Sequence, residues 1–459
     1  EAGALDEMRE ITKRTIIRFS KAVHFCVTVL LFVGCISLFY PEQNQVLQTV
    51  LYFAIALFSV RTYNALQIGL SRVRMLVYSQ TLADVVAVGL LYLLMVFERG
   101  SLFVPAPLAG LLAVQFVWNI LWSVVANAIY FRLYQARRTA IVYWDAADLK
   151  RLDEIYRYDR KFRVEQLLQA SSGSVANLEA ALCGFEAVFV TGVPEKLQNE
   201  IELYCVERNI RCYVMPHVGD VILMGAKHME LFSVPVFRIT RAAPAIEYVA
   251  IKRGVDILCS LLGLVVLSPL ILGTALAVKL YDGGPVIYKQ VRLTKDRRQF
   301  HIYKFRSMRV NAEGDGVARL AAHNDSRITP VGRVIRACRL DELPQLFNIL
   351  RGDMSIVGPR PERPEIAMQY EAEMPSFSLR LQVRAGLTGL AQVYGKYNTD
   401  PYDKLRMDLM YINQMSLMED LKLVFATVKV LFLKESTTRI SQGQTTAAAQ
   451  RDTAEYPVK

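Results

Sequence analysis

Four apolar stretches follow one another in the first third of this chain, at roughly Ile16–Phe39, Val46–Ala65, Met75–Phe97 and Leu102–Phe131. Each is near or above the ~20 residues with which a helix crosses a bilayer. Four in succession are hard to reconcile with buried core helices, so they predict a transmembrane bundle. The connections alternate in charge. Arg9, Lys13, Arg14, Arg18 and Lys21 precede the first stretch, whereas YPEQNQ, which follows it, has no Lys or Arg. Arg61, Arg72 and Arg74 mark the second connection, and Arg99 beside Glu98 the third. Arg132, Arg137 and Arg138 follow the fourth stretch. The positive-inside rule then places both ends of the bundle in the cytoplasm. Asp84 lies inside the third stretch. A carboxyl there needs a partner, and an interhelical contact is expected.

Composition agrees. Hydrophobic residues make up 53% of the 459, and 54 Lys and Arg against 43 Asp and Glu leave a net charge of +11. Mean hydropathy is +0.24. Such a charge suits an anionic membrane surface or a phosphorylated substrate. Nucleic acid is not expected, because the basic residues lie beside apolar segments and carboxylates and no nucleic-acid-binding motif is present. Seven cysteines without a CxxC pair argue against a disulfide framework or zinc site and for a reducing compartment. The first residue is Glu1. The first apolar run lies behind mixed charges with no small-residue cleavage site after it, so no cleavable signal is expected.

From residue 136 to 245 the texture is α/β. TAIVYW, AVFVTG and RCYVMP read as strands, and AADLKRLDEIYRY and PEKLQNEIELYCVERN as helices. The alternation predicts a small parallel sheet, Rossmann-like in outline. The first strand runs into YWDAADLKR, which lacks glycine, so the backbone cannot approach a pyrophosphate closely. No dinucleotide is expected there, and a structural, regulatory or dimer-forming role is. Beyond residue 435 the polar, small-residue-rich tail 436–459 is expected to be flexible.

Between Arg253 and Tyr281 lies another long apolar stretch. Ser268-Pro269 interrupts it near the middle, where proline removes a backbone hydrogen bond and bends a helix. Each half is then too short to span. Lys252 and Arg253 flank one end and Lys279 marks the other, so neither end reads as outside. A helix over 252–281 that enters one leaflet and returns at the Ser268-Pro269 break is expected, with a fifth transmembrane span as the alternative.

In RACRLDELPQLFNILRGDMSIVGPRPE two carboxylates, Asp341 and Glu342, stand side by side. Leu343, Leu346, Phe347 and Leu350 form one helical face, and Gly352 closes the helix. Pro344 belongs in a first turn, so Asp341 falls at or near the N-cap, where the helix dipole favours anions. Adjacent helical residues point about 100° apart, so one carboxylate can face a substrate while the other holds a metal or moves a proton. Most Asp-Glu pairs are solvated helix starts. Here Arg336, Arg360, Lys304 and Arg306 supply the cations that phosphoryl chemistry needs, and a carboxylate can attack phosphorus.

The third region resembles the bacterial sugar transferase family, the polyprenyl-phosphate phosphoglycosyl transferases. The matching pieces are KRGVDI leading to LSPL, then GPVIYKQVR, FHIYKFRSM, ITPVGRVIRACRLDELPQLFNILRGDMSIVGPRPE and AGLTGLAQVYGKYN. The whole order resembles the large monotopic type of the family. The resemblance implies transfer of a sugar-1-phosphate from a nucleotide sugar, usually UDP-linked, to polyprenyl (undecaprenyl) phosphate, with release of UMP. It implies Mg2+ as cofactor, Asp341 as the nucleophile that forms a covalent phosphosugar intermediate, and Glu342 in metal binding or acid–base work. It implies phosphate or nucleotide binding by Arg336, five residues before the aspartate, and by Arg360 between Pro359 and Pro361. It also matches the re-entrant break to Ser268-Pro269. Two departures are visible: Arg384-Ala385-Gly386 where many members have Pro-Gly, and Arg292-Leu293-Thr294 where many have Arg-Val-Gly. They bear on loop geometry and sugar choice.

The expected architecture is a membrane protein in four parts. A four-helix transmembrane bundle occupies 1–135 and an α/β Rossmann-like domain 136–245. A mainly α catalytic domain, 246–435, carries the re-entrant helix 252–281, and the tail follows. The expected setting is the bacterial inner membrane with the catalytic domain on its cytoplasmic face. Exopolysaccharide, capsule or O-antigen assembly would use the product, and a homodimer is compatible with this reading. Tyr394, Lys396, Tyr397 and Asn398 are equally readable as pocket lining or as a polar surface loop. Asp408 reads as a salt bridge or helix contact, and His301 and His323 as surface residues. The rival reading is a non-catalytic membrane sensor or scaffold with an α/β ligand module. The dyad with both arginines argues against it.

Overall fold

The computed structural model describes residues 2–42, 44–101, 105–149, 159–172, 175–310, 327–395 and 400–431, and also 152, 155 and 325. Helices α1 (Ala2–Phe39), α2 (Gln45–Thr62), α3 (Val73–Arg99) and α4 (Ala106–Leu133) come first. Residues 8–39 of α1 and the whole of the other three are long and apolar enough to cross a membrane, which marks a membrane-associated protein. Their polar side chains point inward. Asn119 Nδ2 donates to Asp84 Oδ2 at 2.7 Å, and one turn away Ser123 Oγ donates to Gln80 Oε1 at 2.9 Å. In lipid such pairs hold helices in register, because an unpaired polar group has no water to turn to. The interhelical contact expected for Asp84 is present.

A four-stranded parallel sheet follows, with β1 (Arg137–Tyr143), β2 (Phe162–Gln169), β3 (Ala187–Thr191) and β4 (Arg211–Val214) in the order β2-β1-β3-β4. The helices of this part are α5 (Ala146–Leu149), α6 (Val175–Leu182) and α7 (Glu195–Glu207). Period-two alternation decides which face each strand residue serves. Ala140, Val142, Val188 and Val190 pack with Ile201 and Cys205 of α7. Ile141 and Phe189 face the other way, onto Leu149 and Phe162. Strand β2 was not among the strands read from sequence. It is an edge strand, so Arg163, Glu165 and Gln166 can interrupt its apolar pattern. Most of the second half of AADLKRLDEIYRY lies outside the described residues.

The chain divides into two compact units, the second starting at Pro216. It opens with α8 (Val218–Met224) and the antiparallel pair β5 (Lys227–Leu231) and β6 (Val234–Arg238). The start of this stretch, read above with the α/β domain, packs in the second unit. Asn413 Nδ2 donates to Val221 O, Arg406 donates to Pro216 O, and Val221 is buried with Leu405 and Leu409. Helices α9 (Ile246–Val266) and α10 (Ser268–Asp282) meet at a 63° bend. Proline explains it: Pro269 has no N–H for the Val265 carbonyl, and the Ser268 hydroxyl donates to that carbonyl instead, at 2.7 Å. Next come the antiparallel pair β7 (Ile287–Leu293) and β8 (Gln299–Phe305), then α11 (Pro330–Ala337) and α12 (Gln345–Arg351). Strand β9 (Met354–Val357) pairs in parallel with β10 (Ala385–Thr388), and α13 (Pro364–Glu373) lies between them in the chain. Helices α14 (Leu390–Tyr394), α15 (Pro401–Asn413) and α16 (Leu417–Leu431) close the described part. Among the described residues of 246–435 two two-stranded ladders, β7-β8 and β9-β10, stand among the helices, so the region is mixed α/β where a mainly α domain was expected. The tail 436–459 lies outside the described residues.

Candidate active site

The Asp-Glu pair occupies a single 3-10 turn, Leu340–Glu342, one step before α12 rather than at its cap. Pro344 intervenes, and the helix starts only at Gln345. Ile349 is then fully buried with Leu346 beside it, while Phe347 stands half exposed. Gly352 ends α12 with φ +86°, the left-handed conformation that glycine adopts without strain. Arg339, which enters the turn, also has a positive φ of 57° but carries a side chain, a costly geometry held by its surroundings.

Asn348, which the sequence did not single out, sets α12 against β8. Its Oδ1 accepts from Tyr303 N at 2.9 Å and its Nδ2 donates to His301 O at 2.8 Å. The amide thus acts as a short strand partner for β8. Lys304, the next residue of β8, is brought to the dyad: its Nζ lies 3.1 Å from Glu342 Oε1. Arg360 Nη2 reaches the same oxygen at 3.2 Å.

Arg360 is held by its own backbone segment, in which four successive carbonyls are taken. Pro359 O accepts from Gly386 N, Arg360 O from Arg380, Pro361 O from Arg292, and Glu362 O from Leu293 N. Arg380 is nearly fully buried and pairs with Asp408 at 2.7 Å, the salt bridge expected for that aspartate. Its guanidinium also lies 3.7 Å from Glu362, which Arg292 approaches at 4.0 Å. Gly358 and Gly386 permit this crossing of chains: a Cβ added to Gly386 would stand 2.1 Å from Gly358 N. Neither Arg380 nor Arg292 was chosen from sequence as a site residue, and Arg292 was noted only as the start of a departure from the family pattern.

The environment drives the two carboxyls apart. Burial works against the charged form of Glu342, but Lys304 and Arg360 outweigh it and hold its carboxyl far below the usual range. Burial raises Asp341, the neighbouring Glu342 charge adds to the rise, and Lys304, Arg336 and Arg339 only partly offset it. Burial likewise lowers Lys304, against the pull of Glu342. No hydrogen bond or ion pair among the described residues engages the Asp341 carboxylate. One carboxylate is therefore tied into ion pairs and the other left available, the separation that assigns different roles to like groups.

The remaining expected residues fall into place as follows. Arg336, in the last turn of α11, makes no ion pair among the described residues and acts on Asp341 by its charge. Arg306 is buried and pairs with Asp282 at the end of α10, so it anchors that helix rather than joining the carboxylates. Ser268 and Pro269 form the break described above. Tyr394 is exposed, and Lys396, Tyr397, Asn398 and His323 lie outside the described residues. Among the described residues no three His, Cys, Asp or Glu side chains gather as a metal-binding group. The dyad itself fits Mg2+ in the way that ion is usually held, by one or two carboxylates together with substrate phosphates.

A family model described as "Bacterial sugar transferase" matches residues 247–434. The UDP-N-acetylgalactosamine-undecaprenyl-phosphate N-acetylgalactosaminephosphotransferase of Aeromonas hydrophila is 46% identical over 191 residues, 41% of this chain and 45% of that one. The UDP-glucose:undecaprenyl-phosphate glucose-1-phosphate transferase of Escherichia coli K12 is 39% identical over 271 residues, 58% of this chain and 56% of its own. The chain thus spans about half the length of these two relatives. The exopolysaccharide production protein PSS of Rhizobium leguminosarum bv. phaseoli is 42% identical over 187 residues, 39% of this chain and 93% of that protein.

Proposed function

We propose that this chain, which belongs to the bacterial sugar transferase family, transfers a sugar-1-phosphate from a UDP-sugar to undecaprenyl phosphate. The observation that carries the reading is the unengaged Asp341 carboxylate next to a Glu342 locked between Lys304 and Arg360. An Asp341 oxygen attacks the sugar-bearing phosphorus, the bond from that phosphorus to the UMP oxygen breaks, and UMP leaves. The polyprenyl phosphate oxygen then attacks the same phosphorus and releases Asp341, forming a polyprenyl diphosphate sugar. A pKa raised by burial makes the ionised Asp341 carboxylate a better nucleophile. Arg336 and Arg360 bind phosphate oxygens, and Lys304 fixes Glu342. Mg2+, held by Asp341 and Glu342 with the diphosphate, would neutralise phosphate charge.

The same reading makes α9 and α10 a re-entrant membrane element. Large apolar side chains from Leu258 to Leu280 stand exposed on it, a patch of the kind that soluble surfaces avoid. It places the second unit on the cytoplasmic face of the inner membrane, where soluble UDP-sugar and lipid phosphate meet. The four-stranded parallel sheet is read as a Rossmann-like module that binds no dinucleotide. The product would feed exopolysaccharide, capsule or O-antigen assembly.

The relatives' names include both N-acetylgalactosamine and glucose, so the test offers both UDP-sugars. Purified protein in lipid nanodiscs should release UMP from one of them only when undecaprenyl phosphate is present in multiple turnover. A single turnover should leave a phosphosugar on Asp341. Absence of UMP release with both sugars, or an adduct on another residue, overturns the assignment.

A further inference from the structure

The motif KRGVDI places Lys252, Arg253 and Asp256 on less than two turns of α9, and each reaches a different part of the second unit. Arg253 donates from Nη1 to Ile349 O at 2.6 Å and from Nη2 to Leu350 O at 2.8 Å. These are carbonyls of the last turn of α12, the seven-residue helix that follows the dyad. Asp256, 2% exposed, accepts from Ile356 N at 3.0 Å. Ile356 lies in β9, two residues before Gly358 and the Pro359-Arg360-Pro361 segment. Lys252 Nζ pairs with Asp420 at 2.7 Å, and Asp420 also accepts from Tyr248 and Tyr411.

We infer that Arg253 and Asp256 are positioning residues for the proposed transfer, and that they fix the dyad turn and Arg360 to α9. A helix of two turns is marginal by itself. The carbonyls of its last turn point out of the helix end and favour a cation, even though Ile349 O also accepts from the capping Gly352 N. Arg253 supplies both the donors and the charge, from a face one turn away from Asp256. Among the described residues strand β9 has one strand neighbour, β10, and Asp256 occupies an N–H that a second strand would otherwise take. Glu342 lies in the turn just before α12, and Arg360 three residues beyond β9. Their 3.2 Å contact therefore depends on both elements keeping their places on one rigid helix. Among the described residues neither Arg253 nor Asp256 bonds to Asp341 or Glu342, so each acts through the backbone it holds.

This inference rests on the transfer reading, and two measurements separate them. In kinetics of the full chain in nanodiscs, Asp256→Ala and Arg253→Ala should each lower kcat by about 10²-fold, the cost of small misplacement of reacting groups, with KM for the UDP-sugar little changed. Asp256→Asn keeps an acceptor oxygen and should stay close to wild type, and Arg253→Lys should recover part of the loss. A role in folding alone would reduce the fraction of molecules forming the adduct while leaving the rate constant of those that do. That pattern overturns the inference, as does Asp256→Asn being as damaged as Asp256→Ala. Hydrogen–deuterium exchange tests the clamp without activity. Amides of α12 and β9 should exchange faster in both Ala variants and not in Asp256→Asn. Unchanged protection overturns the clamp even if wild type proves inactive, whereas an inactive wild type with the expected exchange overturns the transfer reading alone.

Discussion

Asp341 and Glu342 share a peptide bond and hold opposite electrostatic positions. Glu342 is stabilised as an anion by two cations on one oxygen, so its charge is permanent at working pH. Asp341 keeps a carboxyl raised by burial and by Glu342. Asp341→Asn preserves size and removes the attacking charge, and UMP release and adduct formation should both fall to background in radiolabelled single-turnover assays. The pH profile provides a finer check. Activity requires ionised Asp341, so kcat/KM should drop on the acid side at a pH above the ordinary aspartate range. Arg336 lowers the Asp341 pKa. Arg336→Ala removes that pull, so the acid limb should move to higher pH in addition to the loss of rate. A limb unmoved or moved to lower pH would contradict the placement of Arg336. The dyad was legible because its two members are neighbours in the chain. The division of labour between them was not, because it depends on Lys304 and Arg360, 38 and 18 residues away from Glu342.

At the scale of elements, two local features have consequences out of proportion to their size. The bend between α9 and α10 exists because Pro269 cannot donate to Val265 O. Pro269→Leu restores that donor, and a straight helix over Ile246–Asp282 would be long enough to span a ~30 Å hydrocarbon core. Single cysteines placed near Lys252 and near Asp282 should label from the same side in wild type. In the Leu variant a fraction should label from opposite sides, and activity should fall with the dyad intact. Opposite-side labelling of wild type would overturn the re-entrant reading. The second feature is the crossing of Gly358 and Gly386. A Cβ at 386 meets backbone, which cannot rotate away as a side chain can. Gly386→Ala should cost about 1–3 kcal/mol of stability, visible as a lower Tm, and should loosen the Pro359 carbonyl contact that helps to hold Arg360. A Tm and activity equal to wild type would show that the strands can part without loss.

For the whole molecule, the second compact unit contains every residue to which the proposed chemistry is assigned, with cores separate from those of the first unit. The Rhizobium relative is matched over 93% of its length by only 187 residues of this chain, so a protein of about that extent exists without a counterpart to most of the first unit. Residues 216–434, expressed with a membrane, should therefore still release UMP from the preferred UDP-sugar. Loss of release by a folded, membrane-bound fragment would show that the first unit supplies something to the reaction.

The parts of this protein that its sequence determined are those governed by short-range physics. Some 20 apolar residues in lipid can satisfy their backbone only as a helix, so the four candidate spans were legible. A proline without N–H breaks a helix at its own position, so the bend was too. An Asp-Glu pair announces a dense negative charge wherever the chain goes. Tertiary structure alone decided which cations meet that charge. Lys304 and Arg306 are two residues apart on one segment, yet Lys304 pairs with Glu342 and Arg306 with Asp282. Asn348, Arg380, Arg253 and Asp256 act through backbone groups far away in the chain, and no local pattern records that reach. Their partners are chosen by which elements pack together and by the cost of leaving a buried polar group unpaired, a cost that exists only once the chain has folded.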